Sequence, residues 1–161
     1  MTRDKGVKAV NKKYEEIYRE NVKYVYNIAL GMLRNKDDAE DVAQNVFVKL
    51  YETFSSFRGE SSIKTYLYRM TINRSIDLIR KNKTAEKYAE KTLAPEKPPV
   101  PDGFILWDLL SKLDLEHRAP LLLSEIGGFS YAEISGILNV NIGTVKSRIN
   151  RAINKLKSYV K

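Results

Sequence analysis

From Ile142 to the last residue the chain holds six basic side chains, Lys146, Arg148, Arg151, Lys155, Lys157 and Lys161, and no acidic one. Val145, Ile149, Ala152, Ile153, Leu156 and Val160 recur among them at intervals of three and four, which puts an apolar stripe along one side of a helix. Lys146, Ser147, Asn150, Arg151 and Asn154 then share the opposite face. These side-chain types donate to phosphate oxygens and to base edges in the major groove of DNA. Basic residues also suit the C-terminal end of a helix on dipole grounds, so a merely solvated basic helix is the competing reading.

Two other concentrations of charge could do chemistry. Asp37, Asp38, Glu40 and Asp41 resemble a carboxylate set for a metal-dependent nuclease. Packed into one helix start, however, they radiate around the axis instead of converging, and no partner motif occurs elsewhere. The segment from Arg58 to Lys91 has nine bases against Glu60, Asp77, Glu86 and Glu90, with Tyr66 and Tyr68 interleaved. Cations that track phosphates beside rings on which bases stack would suit single-stranded nucleic acid, although each tyrosine taken separately reads as a core or rim residue.

The totals exclude several classes. The net charge of +8 favours a polyanionic partner. The absence of cysteine removes disulfide frameworks, zinc fingers and thiol nucleophiles, and the single histidine, His117, removes most histidine-based metal and catalytic sites. We expect no cofactor, no bound metal and no enzymatic activity. Residues 1–13 do not resemble a signal peptide, and no stretch approaches the roughly 20 apolar residues of a membrane span. A cytoplasmic protein without membrane insertion is the expectation.

The elements that must position these residues are helical throughout. Ser130 followed by Glu133 is a capping box, Tyr131, Ile134, Ile137 and Leu138 make a buried stripe, and Asn139 and Asn141 are suited to end one helix and start the next. A turn of about three residues between two such helices is the layout of a helix-turn-helix. Upstream, Tyr14, Ile17, Val22, Val25, Ile28 and Met32 predict a helix from about Tyr14 to Leu33. A second is capped by Asn35 with Ala39, Val42, Ala43, Val46, Phe47, Leu50 and Phe54 inward, and a third runs from about Ser62 to Lys81 or beyond. The acids of the second helix either complement its dipole or form a docking surface for a basic partner. Trp107 is read as a core residue. Pro95, Pro98, Pro99 and Pro101 mark a linker, since proline lacks the N–H a helix needs. Pro120 predicts a kink or a helix start between about His117 and Leu121. The fold expected is all-α: residues 1–91 and 104–161 as two small helical domains, the second containing the helix-turn-helix, joined by a Pro-rich linker over 92–103.

Asp38-Ala39-Glu40-Asp41-Val42-Ala43-Gln44-Asn45-Val46-Phe47, Phe57-Arg58-Gly59, Lys64-Thr65-Tyr66-Leu67-Tyr68-Arg69, Asn73-Arg74-Ser75-Ile76-Asp77 and Gly143-Thr144-Val145-Lys146-Ser147-Arg148 closely resemble the signature stretches of extracytoplasmic-function sigma factors of bacterial RNA polymerase. The likeness runs in register from about Tyr14 to Lys157. It implies a first domain that docks on the polymerase clamp through Asp38, Glu40, Asp41, Gln44 and Phe47, which favours docking over dipole complementarity. Asn45 departs from the acid usual there, and Tyr66 stands where tryptophan is common. The resemblance further implies that Phe57, Arg58, Lys64, Tyr66, Arg69, Asn73 and Arg74 take the melted strand of the minus-ten element, with Asn73 the best single candidate to hold an extruded base. Thr144, Lys146, Ser147, Arg148, Asn150 and Arg151 would bind the duplex minus-thirty-five element, Thr144 and Arg148 on phosphates.

The partners implied are core RNA polymerase, promoter DNA in duplex and single-stranded form, and an anti-sigma protein; the free chain is expected to be a monomer. The rival from another class is a free-standing helix-turn-helix regulator that recruits no polymerase. Such proteins usually dimerise on two-fold operators, and the sequence has no dedicated dimerisation heptad.

Overall fold

The computed structural model describes residues 2–57, 62–89 and 105–160, with seven helices and no strand among them. These are α1 Thr2–Leu33, α2 Lys36–Phe54, α3 Ile63–Ala89, α4 Ile105–Ser111, α5 Leu115–Glu125, α6 Tyr131–Leu138 and α7 Ile142–Val160. The linker expected over 92–103 lies outside the described residues.

Helices α1 to α3 form an antiparallel bundle in which the predicted stripes meet. Val25, Ile28 and Met32 of α1 pack with Val46 and Leu50 of α2 and with Leu67 and Ile72 of α3. Asn35 caps α2 as expected, its side chain accepting from the Asp38 N–H at 2.9 Å. With the asparagine occupied as a cap, the preceding Arg34 takes the left-handed conformation that ends α1, at φ 58°. A buried polar pair ties α1 to α3: the Tyr68 hydroxyl donates to Asn21 Oδ1 at 3.1 Å, and Asn21 Nδ2 donates to the Ile17 carbonyl at 2.8 Å.

The second half is built as its capping signals require. Ser130 accepts from the Glu133 N–H while the Glu133 carboxylate accepts from the Ser130 N–H, so both arms of the capping box are made. That charge-assisted bond holds the Glu133 carboxyl below its usual pKa. Asn139 ends α6 in the left-handed region at φ 54°, ψ 47°, and Asn141 accepts from the Thr144 N–H at 2.7 Å to start α7. Gly128, at φ +65°, ends α5 and lets Phe129 fold back.

Pro120 does not mark a helix start between His117 and Leu121. Helix α5 begins at Leu115, with Asp114 at its N-cap position, and runs through Pro120 to Glu125. The missing N–H forfeits only the bond to the carbonyl of Glu116, an exposed residue of the first turn, and Pro120 itself is buried with Ala119 and Leu121. Helix α1 also starts twelve residues before the predicted Tyr14.

The two halves share one continuous apolar core. Gly31 of α1 leaves room for Leu122 and Trp107; a Cβ there would come within 2.7 Å of Leu122 Cδ2. Phe129 stacks edge-on against Tyr68 at 4.6 Å, with Lys64 Nζ over its ring at 5.6 Å. Arg118, 8% exposed, donates from Nη1 to the Met32 carbonyl and from Nη2 to the Ser111 and Leu113 carbonyls, each at 2.8 Å. Beside it Arg34 pairs with Asp108 at 3.0 Å. The Arg34 pair is partly solvated and contributes at most about 1 kcal/mol, whereas hydrogen bonds from a buried cation contribute about 1.5–3 kcal/mol each. Of the three Arg118 bonds, the one to Met32 crosses between the halves and the two to Ser111 and Leu113 fix the guanidinium in its own half, so Arg118 holds the end of α1 more firmly than the Arg34 pair does.

Replacing Arg118 by Met keeps the stem but leaves those carbonyls without a donor, and should lower unfolding free energy by at least about 3 kcal/mol in denaturant titration. Tyr68 supplies a pH test. Burial, with Tyr24 a lesser cause, raises its phenol above the ordinary 10.0. The folded state thus holds this proton more tightly than the unfolded chain, and the stability contributed is complete below pH 10.0 and lost as pH rises above it. Thermal unfolding between pH 9 and 11 should show a decline in Tm that Tyr68→Phe reduces.

Candidate nucleic-acid interface

Helix α7 turns Val145, Ile149 and Ala152 into the core and leaves Lys146, Ser147, Asn150 and Arg151 exposed together. The four lie at spacings of one, three and four residues, one patch on the outer face of the second helix of the motif. The Ser147 hydroxyl donates to the Thr144 carbonyl at 3.0 Å and keeps its acceptor capacity. Thr144 is committed to the turn: its N–H and its hydroxyl both donate to Asn141 Oδ1, at 2.7 and 2.9 Å. Arg148 is set apart, half-buried and donating to Glu116 of α5 at 3.3 Å.

The residues assigned to the melted strand fall into two places. Phe57 and Tyr66 meet at the end of the bundle where α2 stops and α3 starts, ring centroids 5.3 Å apart, both half-buried. Arg58 lies outside the described residues. Lys64 covers Phe129, and Arg74 is exposed. Arg69 and Asn73 open instead onto a cleft of about 1180 Å³ between the halves, also lined by Asp38, Arg80 and Arg148. Arg69 is already engaged there, donating from Nε to the Ile137 carbonyl at 3.0 Å and from Nη2 to the Gly136 carbonyl.

On α2 the predicted docking set also divides. Glu40, Asp41 and Gln44 are exposed on one outward face. Phe47 is not on it: at 3% exposure it is a core residue, its ring against Tyr18 and its carbonyl accepting from the Tyr14 hydroxyl at 2.9 Å. Its place in the stripe of Val46, Leu50 and Phe54 turns it inward, so it supports the face from beneath. Asp38 turns toward the cleft, its carboxyl pKa raised by partial burial and by the neighbouring Asp41 and Asp37. Val48 and Tyr51, absent from the predicted set, are exposed on the outer face one and two turns after Gln44. Apolar residues off the buried stripe were the available signal. Sequence reasoning missed Arg118 and Phe129 as well. A base on the inward stripe of an apolar helix and an aromatic directly after Gly127-Gly128 pointed to them.

Among the described residues no group of three or more acids or histidines could hold a metal, and no helix is long and apolar enough to cross a membrane.

Residues 17–85 match Sigma-70 region 2, and residues 104–156 match Sigma-70, region 4. The chain is 32% identical to the ECF RNA polymerase sigma factor SigW of Bacillus subtilis, over 91% of this chain and 86% of that protein. It is 30% identical to the ECF RNA polymerase sigma factor SigE of Mycolicibacterium smegmatis, matching 96% of this chain but only 64% of the relative's length. Its fold is similar to that of the sigma factor RpoE from Bartonella quintana, solved in complex with the anti-sigma factor NepR, with a TM-score of 0.78, 24% identity and coverage of 92% of this chain and 97% of that one. With both sigma regions present in order and a relative above 30% identity matched over most of its length, the chain belongs to the family of extracytoplasmic-function RNA polymerase sigma factors.

Proposed function

We propose that this chain is a promoter-specificity subunit, acting only with core RNA polymerase, in which residues 1–91 dock on the polymerase and hold melted minus-ten strand while residues 104–161 bind duplex at the minus-thirty-five element. The observation that carries this reading is the exposed patch of Lys146, Ser147, Asn150 and Arg151 on the second helix of a fully capped helix-turn-helix. Its donors suit base edges in a major groove, and no described residue covers them. Lys146 and Arg151 suit guanine O6 and N7, Asn150 suits adenine, and Thr144 and Arg148 flank the groove. Glu40, Asp41 and Gln44, bordered by Val48 and Tyr51, make the docking face.

The cleft adds a condition to that reading. Asn73, the candidate for an extruded base, opens onto the space between the halves, and Arg69 and Arg148 hold partners within the chain. The arrangement with the halves docked is therefore a resting one, and strand capture requires them to part. Polymerase drives this by binding each half at its own place, and tethering lets two weak DNA contacts act together once their spacing is set. An anti-sigma protein is the partner expected to act on the same equilibrium.

Run-off transcription with purified core polymerase tests the reading: promoter-specific transcripts are expected, and a chain that neither binds core nor gives transcripts is a free-standing DNA-binding regulator instead. Arg151→Ala should weaken minus-thirty-five recognition by about 1–3 kcal/mol and relax preference at one base pair in competition binding. An equal loss on all upstream sequences would assign it to phosphate. Asn73→Ala should impair strand opening, read by permanganate reactivity of unpaired thymines, while core binding stays intact; normal opening would remove it from the site.

A further inference from the structure

We infer that the N-terminal extension of α1 is an additional nucleic-acid contact, a basic helical arm that follows the phosphates of promoter DNA next to the strand held at the α2–α3 end. Residues 1–16 precede the sigma region 2 match, which begins at residue 17, yet α1 is helical from Thr2. Over residues 2–13 the sequence has Arg3, Lys5, Lys8, Lys12 and Lys13 against one acid, Asp4. At 100° per residue, Lys5, Lys8 and Lys12 fall within an arc of about 60°. All four lysines are exposed. Across the helix, Val7 and Val10 prolong the stripe of Tyr14, Ile17 and Val25, but they are 58% and 37% exposed, because the bundle has ended there.

The arm leaves the bundle at a defined place. The Tyr14 ring lies 5.1 Å from Tyr51 and 5.9 Å from Phe54, at the end of α2 that leads to Phe57 and Tyr66. At 1.5 Å per residue the helix reaches about 18 Å beyond Tyr14. Lys5, Lys12 and Lys13 are spread over about 12 Å of that length, enough to meet several phosphates, which recur about every 3.4 Å of duplex axis on each strand. Two valines give too small an apolar face to hold an acyl layer, so charge complementarity with a polyanion selects DNA over a membrane surface. The inference rests on the proposed promoter function.

The test uses holoenzyme formed from the full chain and core polymerase, with promoter affinity measured against salt concentration. Wild-type holoenzyme that binds no promoter at any salt would refute the promoter reading itself. With binding established, Lys5→Gln/Lys12→Gln/Lys13→Gln should flatten the slope of log K against log salt by about 2, since each phosphate no longer neutralised removes about 0.7–0.9 from it. Val7→Gln/Val10→Gln should leave the slope unchanged. An unaltered slope in the lysine variant overturns the inference. Two further results would do so: weakened core binding by the lysine variant at constant slope, which gives the arm to the polymerase, and lysine-dependent binding of the free chain to phosphatidylglycerol vesicles at constant slope, which gives it to a membrane.

Discussion

The interaction on which the rest of the structure depends is the guanidinium of Arg118 between two helix ends. An α-helix leaves its last carbonyls without intrahelical donors and carries partial negative charge there. Met32 lies one residue from the end of α1, and Ser111 ends α4. Arg118 donates to both, and to Leu113 in the turn that follows, so one buried cation caps a helix from each half of the molecule. Burial lowers its pKa, opposed by Asp114, yet a guanidinium remains protonated at any physiological pH. Arg69 repeats the device in the other direction, from α3 to the carbonyls of the last turn of α6.

Attachment through helix ends has consequences that a purely apolar interface would lack. The carbonyls satisfied across the boundary, Met32 by Arg118 and Gly136 and Ile137 by Arg69, are those water would otherwise hydrate, so parting the halves exchanges these bonds for hydration instead of leaving polar groups orphaned. The apolar contacts across the boundary, Gly31 with Leu122 and Phe129 with Tyr68, add area and shape. The docked arrangement is thus specific in geometry while remaining open to competition from a partner that binds each half separately. In the proposed function core polymerase is that partner, and the engaged states of Arg69 and Arg148 are what it must undo.

Most of the fold was legible because its signals are local. Asn35, the Ser130–Glu133 box, Asn139 and Asn141 each perform the capping role that their chemistry suggests, and the inward stripes at 3.6-residue spacing became the cores of both halves, except at Tyr131 and Val160, which are exposed. The motif face from Lys146 to Arg151 was readable for the same reason, since residues on one helix need no tertiary information to be placed together. What stayed hidden is relational. Nothing local distinguishes Arg69, directed across the cleft, from Arg74, which is exposed, and Phe47 follows from its helical phase only when burial is weighed against a motif that includes it. Pro120 misled because a proline in the second turn of a helix loses one hydrogen bond that an exposed first turn can spare.

The central claim is that the two halves rest docked and that polymerase parts them. Because the chain has no cysteine, Lys23→Cys on α1 and Asn154→Cys on α7, both exposed, allow paired labels without background. Their separation can be followed by resonance energy transfer or pulsed electron resonance in the free chain and with core RNA polymerase. The account predicts one short, narrow distance in the free chain, a broadened and longer one in Arg118→Met, and a shift to a single longer distance when core polymerase is added. The same short distance with and without polymerase would contradict it.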